Sequence, residues 1–166
     1  MKFRLLVAVA ILAALSLTAA YLAAVEQPPE ESRRGWDEQL RKTIERYLGY
    51  PYSLGHSGPK RFDCSGFVWR VMTENGIRVK RTSARKLFLL LPRANEQEHW
   101  QLGAVVFFDR LRHCGLVENS SLFYHASSKR GTTRSTFDPY WRSRISGFRK
   151  MPQKHAGEPT VNQSLL

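Results

Sequence analysis

Arg61 to Met72 of the chain read RFDCSGFVWRVM. An aspartate, a cysteine, a serine and a glycine stand directly before an apolar run. In that run Phe67, Val68, Val71 and Met72 recur at helical spacing. Asp63 suits the cap of such a helix, and Asn75-Gly76 suits its end. Cys64 then falls in the first turn. Backbone N–H groups and the positive end of the helix dipole stabilise a thiolate there. Gly66 leaves room for another segment to approach closely. The cysteine has three possible uses: half of a disulfide, a metal ligand, or a nucleophile.

The flanking segments set the fold class. Tyr50 to Phe62, YPYSLGHSGPKRF, is turn chemistry throughout. Before it, WDEQLRKTIERYL places Leu40, Ile44, Tyr47 and Leu48 on one face of a helix over 36–48, which Gly49 ends. A further helix starts at Thr82 or Ser83 and runs through RKLFLLL to Pro92, and RANEQEHWQ is a loop. GAVVFFD, Gly103 to Asp109, reads as a buried strand. HCGLVEN and SLFYHAS, on either side of Asn119-Ser120, read as a hairpin, and RISGFRKM, Arg144 to Met151, as a last strand. Helices followed by antiparallel strands predict an α+β domain, with N-terminal helices packed on an antiparallel sheet.

The chain of 166 residues suits one such domain. Lys2 and Arg4 precede an apolar, uncharged run from Leu5 to Val25, so 1–25 reads as an export signal or a retained membrane anchor. Glu26, Glu30 and Glu31 beyond it predict the domain outside the membrane. Residues 26–35 read as a linker, 36–151 as the folded domain and 152–166 as a disordered tail. The expected location is the periplasm or cell envelope. The 26 Lys plus Arg outweigh 14 Asp plus Glu, a net charge of +12 that favours anionic partners. No zinc-finger spacing, RNA-binding aromatic signature or basic recognition helix is present, so nucleic acid is not the expected partner. A monomer is expected.

Outside the cytosol, two cysteines suggest one disulfide, Cys64 to Cys114. A nucleophilic cysteine instead needs a base, usually histidine. Of the five histidines, His155 is in the tail, His99 in a polar loop and His56 in the turn before Cys64, while His113 and His125 lie on the hairpin. A hairpin loop of three or five residues centred on Asn119 sets His113 directly opposite His125 on one sheet face; a two-residue loop separates them. Cys114 then points to the other face, as a small packing residue.

The order DCSGFV, GAVVFF, HCGLV and FYHASS resembles the NlpC/p60 family of cell-wall cysteine peptidases, and the likeness extends from Trp36 to about Met151. PYWRSRISGFRK, Pro139 to Lys150, resembles that family's closing strand. The resemblance implies a papain-like fold, with Cys64 as nucleophile, His113 as base and His125 as the residue that orients the base. It places Tyr52 at the border of the site. Asp63 and Ser65 are helix caps first and substrate contacts second. The family often has Gly-Gly, Gly-Asp and His-Val-Gly where this chain has Gly55-His56, Gly103-Ala104 and His113-Cys114-Gly115. His56 therefore bears on the shape of the substrate cleft. The implied activity is hydrolysis of amide bonds in peptidoglycan stem peptides, between γ-D-glutamate and diaminopimelate, with no metal and no cofactor. A zinc at Cys64 would suppress its nucleophilicity. Arg61, Arg81 and Arg85 are near the site in sequence and are candidates to bind stem-peptide carboxylates. Another amidase or acyltransferase, or an inactive wall-binding scaffold, is the alternative.

Overall fold

The computed structural model describes residues 30–152. The apolar run in 1–25, the start of the linker and nearly all of the tail lie outside the described residues. Among the described residues no helix is long and apolar enough to cross a membrane. The fold is that of the unit that begins at Trp36.

Among the described residues four helices and five strands follow in order: α1 Glu30–Arg46, α2 Cys64–Glu74, α3 Ala84–Leu90, β1 Val105–Phe108, β2 His113–Val117, β3 Leu122–Ser127, β4 Gly131–Thr136, α4 Pro139–Arg142 and β5 Ile145–Arg149. Helix α1 begins inside the stretch read as a linker, where Glu30 and Glu31 complement the positive helix end. It stops two residues short of Leu48. Tyr47 and Leu48 close it as turns onto the Ile44 and Glu45 carbonyls, and Gly49 follows at φ +82°. Helix α2 has the expected bounds: the Asp63 side chain accepts from the Gly66 N–H, and Asn75 closes the other end. Such a cap is worth about 1 kcal/mol. Ser83 caps α3 in the same way.

The sheet is antiparallel throughout, in the order β4-β3-β2-β1-β5. All four residues of β1 are buried because both sheet faces are covered. Val105 and Phe107 join Cys114, Leu116, Tyr124 and Ala126 against the helices, where Leu40, Ile44, Phe67, Val71, Met72 and Leu87 meet them. Val106 and Phe108 face the other way, with Val117, Phe123, Phe137 and Phe148. The four apolar side chains that α2 buries, Phe67, Val68, Val71 and Met72, each contribute about 1.5–3 kcal/mol.

Two expectations are corrected, and one strand appears that no expectation covered. First, β2 and β3 pair with Leu116 opposite Tyr124 and Val117 opposite Phe123. That register is centred on Ser120, one residue beyond Asn119. The Asn119 side chain accepts from the N–H groups of Ser121 and Leu122, so the turn forms after Asn119. His125 is thus set against Gly115, and His113 lies one diagonal step from it on the same face. Second, the closing segment from Pro139 opens as helix α4 rather than as strand. Asp138 caps it, accepting from the Trp141 N–H, and Pro139 sits where no N–H donor is needed. The added strand is residues 131–136, which have no apolar residue to announce it.

The turn region of 50–62 packs on the start of α2. Asp63 N–H donates to the His56 carbonyl, and Gly66 lies directly beneath that carbonyl. A Cβ at Gly66 would collide with the His56 oxygen and stand 2.9 Å from the Ser57 Cα, both backbone atoms. Gly66→Ala is expected to lower stability by about 2 kcal/mol through overpacking, measured by urea unfolding; a change within error would mean that the turn yields freely.

Candidate active site

Cys64 is the first residue of α2 and is 8% exposed. Both cysteines are free thiols, and they are hydrogen-bonded to each other. Several influences set the acidity of Cys64, and together they hold its thiol well below the usual range, at about 5. The largest is the hydrogen bond from the Cys114 thiol; burial opposes it; a hydrogen bond and the charge of His113 add to it, with a smaller share from the Cys114 backbone N–H. The partner moves the other way. The bond to Cys64 and full burial push the Cys114 thiol far up, so Cys114 remains a protonated donor. Cys114 faces the helices as expected, and it also touches the candidate nucleophile.

His113 opens β2, so its ring stands at the end of the sheet, where it reaches Cys64 from the opposite face. Its Nε2 lies 2.8 Å from His125 Nδ1. Nδ1 is therefore the nitrogen left for Cys64. His125 is 2% exposed, and its Nε2 lies 3.0 Å from Ser135 Oγ. Arg130 donates to the same oxygen at 2.9 Å. Burial, then the charges of His113 and Arg130, lower His125 to about 3, so it stays neutral near neutral pH. A protonated His113 must donate from Nε2, so a neutral His125 accepts at Nδ1 and carries its own proton on Nε2, toward Ser135. Trp141 packs against both rings, with centroids 5.7 Å from His113 and 5.0 Å from His125.

Asp63 is buried, and its carboxylate is fully engaged. It accepts from Gly66 N–H at 2.6 Å, Ser65 Oγ at 2.9 Å and Gly55 N–H at 2.8 Å, and Arg81 Nη2 donates to both of its oxygens, at 2.9 and 2.8 Å. Arg81 also donates to Ser65 Oγ. Asp63, Ser65 and Arg81 therefore form a closed network behind Cys64. Tyr52 is half-buried beside Cys64. Burial, then the negative charges of Cys64 and Asp63, raise its phenol, which keeps it a proton donor. His56 is exposed, its Nδ1 between Ser53 Oγ and the Leu54 carbonyl. A cleft of about 560 Å³ opens beside the two histidines. Tyr52, His113, His125, Trp141 and Arg112 are among its lining residues, whereas Cys64, His56, Asp63 and Ser65 are not.

Ser135, Arg130 and Trp141 were not anticipated. A third strand paired to FYHAS puts alternate residues of GTTRST on the His125 face, which was the available signal for Ser135. Three consecutive non-glycine residues, Asp109, Arg110 and Leu111, have φ of 52°, 55° and 68° just before His113. Each left-handed residue costs about 1–2 kcal/mol, so the surrounding contacts hold this turn against its own preference.

The family model described as the NlpC/P60 family matches residues 49–150. The chain is 31% identical over 132 residues to a gamma-DL-glutamyl hydrolase of Bacillus subtilis, covering 69% of this chain and 29% of that protein. It is 31% identical over 110 residues to an Escherichia coli protein named murein DD-endopeptidase MepS/murein LD-carboxypeptidase, covering 63% of this chain and 57% of that one. The chain thus spans well under two thirds of either relative. In fold it is similar to the peptidoglycan hydrolase RipB of Mycobacterium tuberculosis, with TM-score 0.62 and 20% identity over 79% of this chain and 71% of that one. A Staphylococcus aureus NLP/P60 family protein gives TM-score 0.63 and 23% identity, over 77% and 44% of the two chains.

The bond from Cys114 generates a test. Alkylation of Cys64 by iodoacetamide is expected to rise with pH through a midpoint near 5, since the reactive thiolate is lost as pH falls through that value. In Cys114→Val the midpoint is expected to move upward, toward an ordinary thiol. An unmoved midpoint, read by mass spectrometry of the Cys64 peptide, would remove Cys114 from the account.

Proposed function

Because the chain belongs to the NlpC/P60 family, we propose that it is a thiol hydrolase of peptidoglycan stem peptides. The observation that supports this most is the continuous line of contacts from Cys64 through His113 and His125 to Ser135. In this reading the Cys64 thiolate attacks the amide carbonyl, with its proton held on His113. Negative charge develops on the carbonyl oxygen. The Cys64 N–H, at a helix start with no intrahelical acceptor, and the Tyr52 hydroxyl are the donors that stabilise it. The tetrahedral intermediate collapses as His113 gives its proton to the departing amine, leaving a thioester on Cys64. Water, deprotonated by His113, then cleaves the thioester. His125 keeps the His113 ring in one orientation and one tautomer, and the Arg130–Ser135 pair does the same for His125.

The bond we assign is that between γ-D-glutamate and the diamino acid. The relative named a gamma-DL-glutamyl hydrolase supports this choice. A peptidoglycan substrate requires the domain outside the cytosol, which accords with reading Lys2, Arg4 and the apolar run to Val25 as an export element. The site needs no metal or cofactor for these steps.

Purified protein incubated with muropeptides is expected to yield fragments ending in γ-D-glutamate, identified by mass spectrometry, and Cys64→Ala is expected to yield none. Identical products from both forms, or none from either, would sink the hydrolase reading. His125→Ala is expected to lower kcat by about a hundredfold or more, with KM little changed, because it loosens the base without touching substrate.

A further inference from the structure

Arg61, Arg81 and Arg85, the cations nearest the site in sequence, do not line the cleft. Arg81 is committed to Asp63 and Ser65, Arg85 donates to the Arg110 carbonyl, and Arg61 is exposed. The cleft has other cations. Arg112 and Lys129 line it together with Arg144 and Asp109. Arg144 is neutralised by Asp109 at 2.5 Å. The side chains of Arg112 and Lys129 have no ion pair or hydrogen bond among the described residues. Two uncompensated positive charges therefore face the open cleft that adjoins His113.

The position of Arg112 is held, not incidental. It follows directly on the three left-handed residues and immediately precedes His113. That turn is pinned on several sides. Asp109 bonds Arg144, Arg110 N–H donates to Ser146 Oγ at 2.9 Å, and Arg112 N–H donates to the Phe108 carbonyl at 3.1 Å. Lys129 sits in the β3–β4 turn, four residues beyond His125. The chemistry says which half of a substrate enters here. His113 protonates the departing amine, so the departing nitrogen must lie against that ring. The rest of the leaving half then extends into the space that His113 and His125 line and Asp63 and Ser65 do not.

We infer that Arg112 and Lys129 form a carboxylate-binding subsite for the leaving-group half of the substrate. The inference rests on the hydrolase reading for its orientation. It names the feature read there: a free carboxylate on the residue whose amine departs. Arg112 offers a planar fork suited to bidentate contact, and Lys129 a point charge from the facing turn. Amidation of that carboxylate removes the charge and half of its acceptor oxygens.

The test separates binding from turnover. Two γ-D-glutamyl-diaminopimelate peptides, identical except for a free or an amidated carboxylate on the diamino acid, are titrated calorimetrically into Cys64→Ala protein. The free carboxylate is expected to bind about tenfold tighter. That preference is expected to vanish when Arg112→Gln and Lys129→Ala are added, while affinity for the amidated peptide stays within about twofold. Equal affinity for the two peptides, no binding of either, or a preference that survives both substitutions overturns the subsite. Turnover by the unsubstituted protein is read in parallel. Cleavage of both peptides without preference would overturn the subsite and leave the hydrolase reading intact. A binding preference without cleavage would support the subsite's carboxylate and count against the hydrolase reading alone.

Discussion

The site depends on the buried carboxylate of Asp63. A charge in that position is costly unless every lone pair is met. Here it is met by the Gly66 N–H that it caps, by Ser65, by Gly55 from the preceding turn and by Nη2 of Arg81. One side chain thus starts α2, fastens the 50–62 turn to it and anchors the segment leading to α3. Each of these ties fixes Cys64 from a different direction. The close approach at Gly66 belongs to the same constraint, since the His56 carbonyl that accepts from the Asp63 N–H lies against that glycine.

The second feature is the division of labour between the two faces of the sheet. Cys114 faces the helices and meets Cys64 from below, while His113 and His125 belong to the opposite face with Phe108, Phe123 and Trp141. His113 serves both layers only because it is the first residue of β2. Two neighbouring residues on one strand therefore reach the same sulfur by different routes, one around the strand end and one through the core. The departure from His-Val-Gly at Cys114 adds a hydrogen bond to the thiolate.

Much of this was legible in the chain. Asp63, Asn75-Gly76 and Ser83 are local signals whose physics does not depend on distant contacts, and α2 and α3 start where they indicate. The continuous VVFF run signalled a strand buried on both faces. The hairpin centre was misplaced by one residue because it turns on where the Asn119 side chain bonds. The histidines still share a face because the shift preserved parity. Strand β4 was invisible because Thr, Arg and Ser carry no apolar alternation, and its pairing with β3 supplies what its composition lacks. The fate of Arg81 was equally hidden: an ion pair 18 residues apart in sequence exists only once the fold brings the two together.

The central claim is that Cys64 carries the acyl group. Rapid mixing with muropeptide, an acid quench and intact-mass analysis would test it most directly. The account predicts a transient adduct equal in mass to the acyl half of the substrate, held as a thioester on the peptide containing Cys64 and absent after treatment with hydroxylamine. Product formation with the adduct on another residue, or with none at any mixing time even in a variant that slows the second step, would contradict it.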